Sequence, residues 1–65
     1  MDMIEFLVSK INEEACDAGT YMEWAAVATD KTVKDTLNTI GKQELSHQKA
    51  LIDILANMAR EAHKK

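Results

Sequence analysis

Glu44-Leu45-Ser46-His47 interrupts a stripe of apolar residues made by Val33, Leu37, Ile40, Leu51, Leu55 (or Ile54) and Met58. The stripe advances in steps of three and four, the spacing of one face of an α-helix. Glu44 and His47 take the places in that face where apolar residues were due. Side chains three apart on a helix are neighbours, so this carboxylate and this imidazole point at the same place. The helical neighbours of Glu44 are Ile40, Gly41, His47 and Gln48, none of them a cation fixed at neutral pH. An inward carboxylate without a cation calls for protonation, a partner or a metal ion. The plainer alternative is a Glu–His pair whose polar ends lie in solvent, and a lone E-x-x-H does not separate the two.

Working outward, residues 29–32, Thr-Asp-Lys-Thr, form the break before this helix. Asp30 or Thr32 can cap it, and Thr32 with Asp35 fits an S/T-x-x-D/E box. The helix is expected over about residues 33–62, ending in the basic Arg60 and His63 that suit a helix C-terminus. Upstream, Asp2 followed by Glu5 reads as a helix start, and a first helix is expected over about residues 3–29. Its inward stripe is Ile4, Leu7 (with Val8), Ile11, Glu14, Ala18, Tyr21, Ala25 and Ala28. Glu14 interrupts this stripe as Glu44 interrupts the other. Lys10, one turn earlier, offers it a surface ion pair as the alternative to an inward role. A link this short makes the two helices antiparallel neighbours.

Composition agrees. The 65 residues include no Pro, two Gly and a single Cys. That is the profile of an all-α chain forming one small hairpin domain over residues 1–65. An internal disulfide is impossible and no C-x-x-C exists for zinc or redox work. The net charge of −3 argues against a nucleic-acid surface. Apolar runs are too short for a membrane span. The acidic start Met1-Asp2-Met3-Ile4-Glu5 lacks the basic and apolar regions of a signal peptide, so a reducing cytoplasmic setting is expected.

Each helix also carries a flanking apolar row: Val8, Ala15, Met22 and Ala26 on the first, Leu45, Ile52, Ala56 and Ala59 on the second. A lone hairpin leaves much of this in water, and a core of this size is marginal. The simplest partner is a second copy related by a two-fold axis, giving a four-helix bundle. A dimer brings two copies each of Glu14, Glu44 and His47 into one interior. Two divalent cations would neutralise the four carboxylates, and oxygen ligands with imidazole suit Fe, Mn or Zn.

Glu14, Tyr21 seven residues later, and Glu44-Leu45-Ser46-His47 together resemble the ferritin-like superfamily, including rubrerythrins and encapsulated ferritins. The thirty-residue interval from Glu14 to Glu44 is similar to that of encapsulated ferritins, which build their site between two hairpins. The resemblance implies a di-iron carboxylate site with two Fe ions per dimer, Mn or Zn being alternatives. In it Glu14 and His47 are terminal ligands, Glu44 bridges the metals, and Tyr21 hydrogen-bonds a ligand carboxylate. A core Tyr with a wet hydroxyl is the competing reading of Tyr21. Glu13 and Asp17 would form an acidic approach for cations, or simply a solvated face. The implied activity is oxidation of Fe(II) by dioxygen or peroxide. Alternatives are a rubrerythrin-like peroxide reductase and a non-catalytic dimerisation or metal-binding module.

Three features depart from that family. This chain has one motif copy where four-helix ferritins have two. The stretch Glu61-Ala62-His63-Lys64-Lys65 lacks a shell-targeting extension, so an encapsulin shell is not expected as partner. No Cys₄ electron-supplying domain is present, so a peroxidase would need an external donor. Trp24 is expected to pack, and Cys16 to be small and at least half-buried, with an exposed thiolate near metal as the alternative. Gly19 and Gly41 each cost about 1 kcal/mol against Ala inside a helix, which close helix approach or a kink would explain.

Overall fold

The computed structural model describes residues 2–63. It is an antiparallel pair of helices, α1 (Met3–Val27) and α2 (Lys31–His63). The Asp2 carboxylate starts α1 by accepting from the Glu5 N–H at 2.8 Å. At the far end, the Ala28 backbone turns extended, and its N–H closes on Ala25 and Trp24 carbonyls. Asp30 accepts from the Val33 N–H at 2.9 Å and takes the cap. With Asp30 in that place α2 begins at Lys31, two residues before the expected start, and Thr32 lies inside the helix. Asp35 pairs with Lys31 at 2.6 Å rather than completing a box with Thr32.

The seam follows the two stripes. Leu7, Ala18 and Ala25 are buried on α1, each 2% exposed. Ile11, Glu14 and Tyr21 are half-buried beside them, facing Leu37, Ile40, Gly41, Glu44, Leu51, Leu55 and Met58 of α2. Leu55 takes the inward place and Ile54 the outward one. Ile4 and Val33, assigned to the stripes by spacing, are about half exposed. At Gly41 the helices come close. A Cβ there would lie 3.3 Å from Met22 Cγ and 3.5 Å from both the Ala18 carbonyl oxygen and Tyr21 Cβ. Close approach thus explains Gly41 but not Gly19, which has nothing within 4 Å of a built Cβ.

The hairpin measures 54 × 19 × 11 Å across its Cα atoms, so it is a single helix thick. Both broad faces are open. Val8, Met22, Leu45 and Ile52 of the flanking rows remain 38–45% exposed. A compact monomer of 7.3 kDa exposes about 4,200 Å², whereas this chain exposes 4962 Å². No helix is long and apolar enough to cross a membrane among the described residues.

Candidate metal centre

Glu14 and Glu44 occupy equivalent places, each near the middle of the seam, and face one another across it. Glu14 reaches Glu44 because the backbones are drawn together one turn away, where Gly41 lies against Ala18. On the other side of the pair, Gln48 donates across the seam to the Ile11 carbonyl at 3.5 Å. Its position one turn after Glu44 makes Gln48 a second tie between the helices, a role that a sequence search for ionisable residues misses. His47 stands at the rim, its side chain 61% exposed, with Nδ1 3.5 Å from Glu14 Oε2. Ligand atoms of Glu14, Glu44 and His47 all lie within 4.8 Å of one another, close enough to hold one ion.

The surface ion pair open to Glu14 does not form. Lys10 turns to Glu13 at 3.3 Å, and the Glu14 side chain is only 14% exposed. Glu14 Oε2 is buried with no hydrogen bond. A buried carboxylate oxygen without a donor is costly. This orphaned atom therefore fits a cation.

The two carboxyls perturb each other in opposite directions. Glu14 is held below the ordinary carboxyl range, chiefly because the Glu44 carboxyl faces it as a hydrogen-bonding partner. Burial opposes this shift, and the nearby imidazole of His47, then the charge of Lys10, assist it. Glu44 is raised, first by the same carboxyl–carboxyl interaction, then by burial and by the negative charge of Glu14; His47 opposes and Asp17 adds to the rise. Both shifts come from two carboxyls crowded at one place, a crowding that a cation between them would relieve.

The remaining residues sort by position. Asp17 is exposed and near enough for its charge to reach Glu44, whereas Glu13 is tied to Lys10. Tyr21 is half-buried beside Gly41, and its hydroxyl makes no hydrogen bond to either carboxyl among the described residues. Cys16 is exposed, contrary to the half-buried place expected for it. Two residues from Glu14, it projects from another side of α1, away from the carboxylates.

The flanking rows lie away from the opening of the site. Leu45 and His47 are two apart and project from different sides of α2. Leu45 and Ile52 share the broad face toward which Gly41 meets Met22, while His47, with Asp17 beyond, opens onto the other face. The rows therefore do not border the opening of the site. A different apolar set lies toward the two ends of the hairpin. Trp24, Val27, Ala28, Val33 and Leu37 line an open recess of about 370 Å³ at the turn. Phe6 and Ile54 are 45% and 48% exposed toward the opposite end.

Comparison of the chain with protein families, with curated proteins and with solved structures finds no match.

Proposed function

We propose that the chain is a ferritin-like di-iron carboxylate protein that oxidises Fe(II) at a site shared between two copies of itself, a homodimer or higher homo-oligomer. The observation that carries this reading is the buried, unbonded Glu14 Oε2 beside Glu44 and the rim imidazole of His47. Three protein ligands leave an ion under-coordinated, and the open side of the trio is where a second copy could add to it. Two copies supply four carboxylates and two imidazoles. That set suits iron, with Mn or Zn as alternatives.

In this reading Glu44 lies between two ions and each Glu14 and His47 serves one. A pair of ions held side by side can gather two electrons for one oxidant. Fe(II) is the substrate: two ions give one electron each, which with two protons convert one dioxygen to hydrogen peroxide, or one peroxide to two waters. Glu14 and Glu44 provide negative charge that favours the ferric product. Gly41 and Gln48 hold the carboxylates in register, and Asp17 draws cations to the rim. A cytoplasmic setting, where Fe(II) persists, belongs to the same proposal.

Anaerobic titration with Fe(II), followed by exposure to air, tests it. One ion per chain is expected, then oxygen uptake and ferric absorbance faster than for free Fe(II) in the same buffer. Binding at that stoichiometry with no faster oxidation would replace the ferroxidase by a structural metal-binding module.

A further inference from the structure

The turn-end recess and the unequal lengths of the helices concern the partner at the proposed site. α1 has 25 residues and α2 has 33. From the turn, α2 therefore runs on about 12 Å past the start of α1 at 1.5 Å per residue. The last two turns of α2 have no helix of their own chain to lie on. At the other end, the recess of about 370 Å³ beside Trp24 has no side chain of its own hairpin to fill it.

The distances of these features from the site match. Trp24 lies ten residues beyond Glu14 toward the turn, and Val33 eleven before Glu44 on the same side. Ile54 lies ten beyond Glu44 in the other direction, and Phe6 eight before Glu14. Each is about 12–17 Å along the helix from the carboxylates. Trp24, Val33, Phe6 and Ile54 are 45–64% exposed. A two-fold axis through the site and perpendicular to the helices exchanges one direction for the other. It lays Ile54 of one copy over Val33 of the next, and Phe6 over Trp24. A two-fold axis along the helices instead sets recess against recess and leaves the overhanging turns facing only each other. The chain's excess exposed surface, about 800 Å² over a compact monomer, equals one partner's share of a standard interface, about 800 Å².

We infer that a second copy of this chain docks antiparallel on the face carrying Glu14, Glu44 and His47, its Ile54 and Phe6 closing the recess between Trp24 and Val33. The inference rests on the shared site proposed above and specifies its partner's register. The flanking rows Val8, Met22, Leu45 and Ile52 are left outside this contact.

Cysteine cross-linking in metal-free protein tests the register. In a Cys16→Ser background, the double variant Val33→Cys, Ile54→Cys is oxidised at micromolar concentration. Its two thiols are 21 residues apart on one helix, about 31 Å, beyond the reach of a disulfide within one chain. A covalent dimer as the main species, with each single variant staying monomeric on a non-reducing gel, is the expected result. A dimer from Val33→Cys alone would overturn the register, because that residue would then meet its own copy. So would sedimentation as a dimer with no cross-link in any variant. Trp24 emission gives a second reading in otherwise unaltered protein: it should shift to the blue with concentration across dimerisation, and Ile54→Asp should abolish the shift. Dimerisation without a change at Trp24 refutes the docking. Cross-linking without iron oxidation removes the proposed activity and keeps the docking; iron oxidation without the cross-link does the reverse.

Discussion

Replacing each glycine by alanine measures how far the helix approach at Gly41 governs the site. Gly to Ala in a helix interior is worth about 0.4–1 kcal/mol, from helix propensity and the reduced freedom of the unfolded chain. At Gly19 a new Cβ meets nothing within 4 Å, so the whole gain should appear. In a chain of this size that is a rise in Tm of about 2–8 °C. At Gly41 the same gain is set against a contact of 3.3 Å to Met22 Cγ. Met22 is 38% exposed and can give way by a few tenths of an ångström. The Ala18 carbonyl oxygen, at 3.5 Å, is at ordinary contact distance, so the cost of moving Met22 is what reduces the gain. Gly41→Ala should therefore stabilise less than Gly19→Ala. Gly41→Leu should destabilise outright, since its further carbons have no space between the helices, and it should weaken metal binding by parting Glu14 from Glu44. Urea and thermal unfolding at one fixed protein concentration, which matters for any dimer, measure the first two. Equal stabilisation by Gly19→Ala and Gly41→Ala would refute the argument that close approach sets this seam.

Glu44→Ala should lose metal at full stoichiometry, read by calorimetry or by metal content after desalting; retention of one ion per chain would remove Glu44 from the ligand set. Metal affinity should rise with pH, because an ion needs both carboxylates ionised and Glu44, raised from its ordinary value, releases its proton less readily. Without metal the two groups act oppositely. The stability contributed by Glu44 is complete below its ordinary value of 4.5 and is lost as pH rises through its raised value. That contributed by Glu14 is present above 4.5 and lost as pH falls through its lowered value. Titrations in two buffers of different ionisation enthalpy detect the released proton, and identical apparent enthalpies would contradict it. His47→Ala should slow Fe(II) oxidation strongly, in stopped-flow absorbance, by removing a ligand from each ion. Tyr21→Phe should slow it less, since the Tyr21 hydroxyl bonds neither carboxyl within the chain; an equal loss would place that hydroxyl at the site.

Much of the site is written in local spacing. The three-and-four rhythm of α2 marks Glu44 and His47 as intruders on an inward face, and the same rhythm picks out Glu14. Those readings survive folding because an α-helix fixes which residues share a side. The choice between competing partners is not local. Lys10 lies within reach of both Glu13 and Glu14, and it takes Glu13 because Glu14 is turned into the seam. Asp30 and Thr32 are both capping residues, and the chain's turn selects Asp30.

The sequence by itself determined the two helices, their antiparallel pairing and the three residues that could hold an ion. Only the tertiary structure decided how those residues are turned. It buried Glu14 Oε2 without a donor and left His47 at the rim. It also put the rows of Val8, Met22, Leu45 and Ile52 on the broad face opposite His47, with Trp24, Val33, Phe6 and Ile54 on the site's own side. The reason is rotational. Helical periodicity groups residues on a face, but the angle at which each helix presents that face to the other is set by the close contacts between them. Gly41 against Ala18, Tyr21 and Met22 is one such close contact.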